Sequence, residues 1–171
     1  MHVLFVCTGN ICRSPTAERL AVTFAARLGI ADFTASSAGV RAVIAHPIHQ
    51  KSVPVLEELG GNASDFAARQ LTQKIASAAD LVLTMTRAHR DAVLELAPRQ
   101  LVRTFTLAEA ARLAVEFGAQ DIKDLASLRS RIATHEFVDI PDPIGQDAES
   151  FSRVGFLIAE LLPPVLELCR S

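Results

Sequence analysis

A short apolar run that ends in a polar, glycine-containing loop constrains this chain most. Residues 2–6 read HVLFV, a nearly continuous apolar segment that is typical of a strand buried on both faces, as in a parallel sheet. Residues 7–13 then read CTGNICR, and Ser14-Pro15 supplies an N-cap followed by a proline at the first helical position. The sequence therefore predicts a strand, a tight loop and the start of a helix.

The segment after this loop has the periodicity of an amphipathic helix. Its apolar residues recur at helical spacing and form one face: Ala17, Leu20, Ala21, Phe24, Ala25 and Leu28. Gly29 is expected to end this helix.

The rest of the chain alternates between strand and helix patterns. Further strands are predicted at 33–38, 80–84 and 101–105, and helices at 53–59, at 87–97, after residue 105, and over 154–168. Pro163 and Pro164 lie inside the last pattern, so we expect a kink or break there. Alternating strands and helices predict parallel βαβ units in an open α/β sheet. Ligands of such sheets bind beyond the carboxyl ends of the strands, which is where the 7–13 loop lies.

Composition narrows the class of protein. The chain has 171 residues, half of them apolar and 21% charged, which predicts one globular domain over 1–171 and excludes intrinsic disorder. A net charge of -2 gives no general attraction to nucleic acid or to an anionic membrane, and we expect neither as a partner. The sequence offers neither a signal peptide nor a long apolar span. Three cysteines are too few, and odd in number, for a disulfide framework, so we expect the protein to be located in a reducing cytoplasm.

The loop after the first strand has the features of an anion site. Backbone N–H groups converge in such a turn, and the helix N-terminus adds partial positive charge. Gly9 and Asn10 can adopt the left-handed backbone angles that a tight turn needs, and Arg13 offers a planar fork for two phosphate oxygens. The predicted phosphate-binding residues are Thr8, Gly9, Asn10, Ile11, Cys12, Arg13 and Ser14.

Cys7 lies at the base of this loop. A thiol there ionises readily, and a thiolate inside an anion cradle is suited to attack phosphorus and form a phosphocysteine that water then hydrolyses. Ser14 could donate a hydroxyl hydrogen to the sulfur. A bare Cys-x5-Arg pattern often reflects a structural cysteine and a surface arginine, but its place between a strand and a Ser-Pro helix start favours catalysis. The loop lacks the Gly-Lys-Ser/Thr element of a Walker A loop. Cys7 and Cys12 are not accompanied by a second Cys/His pair, so the sequence does not indicate a zinc site.

Residues 3–15, VLFVCTGNICRSP, resemble the phosphate-binding loop of the low-molecular-weight protein tyrosine phosphatases. The similarity continues through Ser37-Ala38-Gly39, residues 68–72, residues 80–85 and Asp142-Pro143, with residues 106–138 expanded. The resemblance implies a single-domain, open four-stranded parallel sheet with helices on both faces. It also implies a cysteine nucleophile, an arginine clamp, no metal or organic cofactor, and a phosphorylated protein or peptide as substrate.

Asp142 is the candidate acid. Attack on a phosphotyrosine expels a phenolate, whose parent phenol has a pKa of about 10, so an acid must protonate it. Residues 140–145 read IPDPIG, and in the family an Asp-Pro pair at this place supplies the general acid and later the general base. A turn role is the alternative for an aspartate beside proline. Asp139 is expected to be a solvated turn residue.

The cleft departs from the family in its aromatic residues. Ile144 follows the Asp-Pro pair and Val43 follows Ser-Ala-Gly, at places where many relatives carry a ring, and the chain has no Tyr or Trp. Residues 83–89 and the Asp-Pro-x-Gly pattern resemble bacterial protein-arginine phosphatases, but those tend to have Thr where Ile11 stands. The sequence favours phosphotyrosine, with phosphoarginine as the alternative and other small phosphate esters after it.

Two further functions are disfavoured. The thioredoxin-coupled arsenate reductases of this fold need two more cysteines in mid-chain, and none lies between Cys12 and Cys169. An inactive phosphate-binding module is disfavoured because Cys7, Arg13 and Asp142 are all present.

Three other side chains near the loop have two interpretations each. Cys12 is either a packing residue or a resolving thiol that captures oxidised Cys7 as a disulfide. His46 and His49 are either surface residues or substrate contacts at the rim of the cleft.

Overall fold

The computed structural model describes residues 1–170, which form one parallel four-stranded sheet with strand order β2-β1-β3-β4. The strands are β1 (His2–Cys7), β2 (Thr34–Gly39), β3 (Leu81–Thr84) and β4 (Thr104–Thr106). The helices are α1 (Arg13–Arg27), α2 (Val53–Glu58), α3 (Gln73–Ser77), α4 (Arg87–Leu96), α5 (Leu107–Val115), α6 (Ile122–Leu128) and α7 (Ala148–Glu167). Short 3-10 helices span Pro98–Arg103, Arg129–Arg131 and Thr134–Glu136.

Strand β1 is buried on both faces, as its apolar run predicts. Val3 and Phe5 pack in a core with helices α1, α5 and α7, whereas Leu4 and Val6 pack in a second core with α3 and α4. Helices therefore cover both faces of the sheet, and the predicted fold class is confirmed. The predicted domain ends at Ser171, which lies outside the described residues.

The fourth strand begins later than the sequence predicts. Residues 101–103 belong to a 3-10 helix, and only Thr104–Thr106 pair with β3. Leu101 and Val102, whose apolar side chains suggested the strand, face solvent. Gln100 holds the turn instead, because its side-chain amide donates to the Ala76 carbonyl at 2.8 Å while its own carbonyl accepts from Thr104 Oγ1 at 2.8 Å.

The expected break at Pro163 and Pro164 is wrong. Helix α7 runs without interruption from Ala148 to Glu167, with both prolines inside it. The prolines remove two backbone donors, but Leu162 and Val165 on either side are buried in the main core. Packing of the apolar face therefore holds the helix together.

The expanded segment after β4 covers the edge of the sheet. The guanidinium carbon of Arg129 lies 3.9 Å from the centre of the Phe105 ring. Arg129 Nε donates to the Glu109 carboxylate at 2.9 Å, and Nη1 donates to the Leu101 carbonyl at 3.1 Å. Edge strands expose unpaired backbone groups, and a covering segment protects them. Among the described residues, no helix is both long and apolar enough to cross a membrane.

Candidate active site

The predicted loop lies at the carboxyl end of β1, between Cys7 and Arg13. Its carbonyl groups are turned away towards the 40–49 segment, whose backbone N–H groups donate to the carbonyls of Cys7, Thr8, Gly9 and Ile11 at 2.7–3.0 Å. Among residues 1–170, no backbone acceptor pairs with the N–H groups of residues 8–12. The loop therefore offers a set of free backbone donors in the residues that directly follow Cys7.

Asn10 shapes this loop. Its φ of 56° is left-handed, as predicted, and its side chain is fully buried. Nδ2 donates to Ser14 Oγ at 2.9 Å and to Ser37 Oγ at 2.8 Å, and Oδ1 accepts from the Arg69 N–H at 2.9 Å. The amide side chain is thus committed to holding the turn, so its contribution to anion binding is the fixed loop backbone.

Ser14 does not cap helix α1, contrary to the prediction. The helix begins at Arg13, and the Ser14 hydroxyl instead lies 3.0 Å from Cys7 Sγ. Because Asn10 donates to Ser14 Oγ, the hydroxyl hydrogen of Ser14 is available for the sulfur. A donor in this position stabilises a thiolate.

Arg13 and Asp142 meet in the folded chain, although 128 residues separate them in the sequence. Arg13 Nη2 lies 3.2 Å from Asp142 Oδ2, and Nη1 donates to the Ile140 carbonyl at 2.9 Å. Only 4% of the Arg13 side chain is exposed, against 47% for Asp142. The arginine is therefore fixed, and the carboxylate is open to solvent and to a substrate.

The segment that carries Asp142 is anchored to the residues that connect β3 to α4. The Ile140 N–H donates to the Met85 carbonyl at 3.0 Å, and Asp139 Oδ1 accepts from the Arg87 N–H at 2.9 Å. Asp139 was expected to be a solvated turn residue, but it is half-buried and anchors the segment to the start of α4. Asp142 Oδ1 also accepts from the Ile144 N–H at 3.1 Å, so the turn role and the position beside Arg13 coexist.

Cys12 is buried next to α2. Ser52 Oγ donates to Cys12 Sγ at 3.2 Å, and burial raises the pKa of the Cys12 thiol to about 12. All three cysteines are free thiols. Cys12 is therefore a much weaker acid than an ordinary cysteine, which bears on any redox role.

His89 is a site residue that the sequence reasoning did not assign. It lies in the first turn of α4, and its Nε2 atom is 2.8 Å from Thr8 Oγ1 in the loop. Burial, and secondarily the charge of Arg13, lower the pKa of His89 to about 4. One feature of the sequence could have pointed to His89. It lies three residues after Thr86, which follows β3 and caps the start of α4.

The rim of the site is aliphatic. Val43 and Ile144, at the places where relatives carry aromatic rings, are both exposed. His49 stacks on Phe151 with ring centres 4.7 Å apart, so it has a packing role, whereas His46 is exposed. A cavity of about 260 Å³ borders Ile11, and another of about 240 Å³ borders Asp142.

Comparisons with known proteins agree on one family. A family model described as low molecular weight phosphotyrosine protein phosphatase matches residues 2–114. The low molecular weight protein-tyrosine-phosphatase Wzb of Escherichia coli (strain K12) is 29% identical over 157 residues, which cover 92% of this chain and 87% of Wzb.

Solved structures show the same similarity over nearly the whole length. A low molecular weight protein tyrosine phosphatase from T. tengcongensis is 32% identical with a TM-score of 0.79, and the match covers 98% of both chains. A cysteine-to-serine mutant of the YwlE arginine phosphatase with a phosphorylated active-site serine is 29% identical with a TM-score of 0.78, covering 97% of this chain and 93% of the other.

Proposed function

The chain belongs to the low-molecular-weight protein tyrosine phosphatase family, and on that premise we propose that it hydrolyses phosphotyrosine in a protein or peptide through a phosphocysteine on Cys7. The observation that carries the proposal is the grouping at the end of β1. The Cys7 sulfur lies 3.0 Å from a hydroxyl donor, and the fixed guanidinium of Arg13 contacts the Asp142 carboxylate at 3.2 Å. The phosphotyrosine phosphatases among the similar proteins support this substrate class.

The first step transfers the phosphoryl group to sulfur. The Cys7 thiolate attacks phosphorus, the S–P bond forms and the P–O bond to the leaving group breaks. Asp142, in its protonated form, gives its proton to the departing oxygen, so that a phenol leaves rather than a phenolate. The free N–H groups of residues 8–12 and the Arg13 fork hold the phosphoryl oxygens where charge accumulates.

The second step returns the enzyme to its starting state. Water attacks the phosphocysteine, and the Asp142 carboxylate takes one of its protons. The S–P bond breaks, inorganic phosphate leaves, and the sulfur departs as a thiolate that the Ser14 hydroxyl stabilises at 3.0 Å. Both steps balance without a metal or an organic cofactor.

Phosphoarginine is the second candidate substrate. It is favoured by the similarity to the YwlE arginine phosphatase and by the aliphatic residues Val43 and Ile144, which offer no ring to stack on a phenyl group. Phosphotyrosine is favoured by the apolar side chain of Ile11. A thiolate can attack phosphorus in either substrate, so the leaving group alone separates the two.

The experiment is a substrate panel assayed with the wild-type protein and with Cys7→Ser as the matched inactive control. The panel contains p-nitrophenyl phosphate and one peptide carrying phosphotyrosine, phosphoserine or phosphoarginine at the same position. We expect hydrolysis of p-nitrophenyl phosphate and a preference for the phosphotyrosine peptide. Preference for phosphoarginine would select the second candidate. Equal phosphate release by both proteins would overturn the proposal.

We also propose a redox role for Cys12, as the thiol that captures oxidised Cys7. Both residues belong to the same short loop, and Ser52 is the polar contact of Cys12. A reducing cytoplasm, inferred from the cysteine content, would keep both thiols in the reduced state between oxidative events.

A further inference from the structure

His89 and Thr8 make a contact that the proposed mechanism does not use. His89 Nε2 lies 2.8 Å from Thr8 Oγ1, and Thr8 follows the nucleophile directly. His89 is only 6% exposed, and its Nδ1 atom is buried without a hydrogen-bond partner among the residues that the structure describes. Buried polar atoms are nearly always paired, so an unpaired one at the edge of a site calls for a physical explanation.

The surroundings of His89 keep its ring neutral. Thr86 Oγ1 accepts from the His89 N–H at 3.2 Å, which places the imidazole in the first turn of α4, where the helix dipole disfavours a cation. Burial and the positive charge of Arg13 lower the pKa of His89 to about 4, against the opposing effect of Asp142 and Asp139. At neutral pH the ring therefore carries one N–H and one bare nitrogen.

The unpaired nitrogen decides which tautomer is favoured. With the hydrogen on Nδ1, His89 would bury an N–H that has no acceptor, which folded proteins strongly avoid. With the hydrogen on Nε2, His89 donates to Thr8 Oγ1 and leaves a bare nitrogen on the buried side. In that tautomer the hydroxyl hydrogen of Thr8 is not engaged by His89 and is free for another acceptor.

We propose that His89 is a positioning residue, which holds the Thr8 hydroxyl so that it donates its hydrogen to the phosphoryl group bound in the loop. The inference rests on the proposed function, because it adds a donor to the same anion site. Thr8 is half-buried and its backbone is fixed as well, since its carbonyl accepts from the Arg41 N–H at 2.9 Å. A hydroxyl fixed from both sides is preorganised, and preorganised donors stabilise transferred charge most effectively.

The test is a double-mutant cycle with Thr8→Val and His89→Phe, both close in shape to the original residues. The readouts are the dissociation constant of inorganic phosphate by calorimetry and kcat/KM with p-nitrophenyl phosphate. Because each single variant removes a hydrogen bond to a charged group, we expect its phosphate affinity and its kcat/KM to fall by about tenfold to a hundredfold. Phosphate affinity and kcat/KM of the double variant should be no lower than those of the more impaired single variant, because both substitutions remove the same donor.

His89→Gln separates positioning from packing. Its amide nitrogen can donate from near the place of Nε2, so we expect phosphate binding within a few-fold of wild type, well above that of His89→Phe. Urea midpoints of all variants report folding separately. Wild-type phosphate affinity in Thr8→Val, or additive losses in the double variant, would make the pair structural and overturn the inference. If the wild type hydrolyses no phosphoester, the proposed function fails, but phosphate binding in the same five proteins still decides this inference.

Discussion

Arg13 Nη2 lies 3.2 Å from Asp142 Oδ2, while Arg13 Nη1 donates to the Ile140 carbonyl at 2.9 Å. The guanidinium therefore joins the loop after β1 to the segment that carries Asp142. A bound phosphoryl group needs the same guanidinium nitrogens, so it competes with the Asp142 carboxylate for Arg13. Substrate binding should release Asp142 from this pair and leave it beside the leaving group.

Asp142→Asn should therefore change binding and turnover in opposite directions. Removing the carboxylate frees Arg13, and we expect inorganic phosphate to inhibit a few-fold more strongly. Loss of the general acid should lower kcat by about 10²- to 10⁴-fold for substrates with a poorly departing alcohol or phenol. The loss should be much smaller for aryl phosphates whose leaving group departs without protonation. The measurement is kcat across a series of aryl phosphates of graded leaving-group acidity.

Asp139→Asn is the matched control for this prediction. Asp139 lies three residues before Asp142 and accepts from the Arg87 N–H at 2.9 Å, an interaction that an asparagine oxygen can retain. We expect an unchanged dependence of kcat on leaving-group acidity. If Asp142→Asn lowers kcat equally for every leaving group, then Asp142 has a structural role only.

Cys7→Ser should retain the anion site and lose turnover. The free N–H groups of residues 8–12 and the Arg13 fork do not depend on the sulfur, so vanadate and inorganic phosphate should still bind. A serine hydroxyl at this position is a far weaker nucleophile than a thiolate, and phosphate release should fall to the background of the assay. Calorimetry with phosphate and a p-nitrophenyl phosphate assay check the two halves of this prediction. Substantial turnover in the purified variant would rule out the covalent mechanism.

The sequence predicted the fold and the position of the loop between β1 and α1 because both depend on local patterns. The HVLFV run and the loop after it are adjacent in the chain, so residues 2–15 alone indicate a strand, a tight loop and a helix. The sequence did not identify His89 as a site residue, because Thr8 and His89 lie 81 positions apart in the chain. The packing of α4 against the sheet brings them into contact. The start of β4 was misplaced because apolar residues such as Leu101 suggest a strand whether they are buried or exposed.

His89 should make the protein less stable as the pH falls from neutral. Its pKa is about 4 in the folded chain, below the ordinary 6.5, because the imidazole is buried and near Arg13. His89 in the unfolded chain therefore becomes protonated below about pH 6.5, whereas His89 in the folded chain becomes protonated only below about pH 4. The contribution of the neutral imidazole to the free energy of unfolding is thus present at pH 7 and is lost on acidification. Between pH 7 and pH 5 the loss is about 2 kcal/mol of unfolding free energy.

Urea unfolding of the wild type and of His89→Gln at pH 7 and pH 5 isolates this contribution. Glutamine does not titrate, so the stability of the variant should fall less on acidification, by about 2 kcal/mol. The other histidines and the carboxylates titrate in both proteins and cancel in the comparison. An identical pH dependence in the two proteins would mean that His89 is protonated as easily in the folded chain as in the unfolded one.

Cys12 should capture oxidised Cys7 more efficiently as the pH rises. In the proposed sequence, peroxide oxidises the Cys7 thiolate to a sulfenic acid, and the Cys12 thiolate then attacks that sulfur. The S–S bond forms, the S–O bond breaks, and hydroxide leaves and takes a proton from solvent to become water. Burial raises the pKa of Cys12 to about 12, and the Ser52 hydroxyl and Arg13 oppose this shift. The thiolate fraction of Cys12 therefore rises about tenfold for each pH unit between 6.5 and 9, and so should the rate of disulfide closure.

The measurement is a peroxide pulse at pH 6.5, 7.5 and 9, followed by mass spectrometry of the 7–12 segment and recovery of activity with dithiothreitol. We expect the ratio of Cys7–Cys12 disulfide to over-oxidised Cys7 to rise with pH in the wild type. Ser52→Ala should lower this ratio, because it removes the hydrogen bond, 3.2 Å long, that favours the Cys12 thiolate. Cys12→Ser should form no disulfide and should recover poorly at every pH. Equal recovery of Cys12→Ser and wild type would identify Cys12 as a packing residue, since its burial beside Ser52 would then have no chemical consequence.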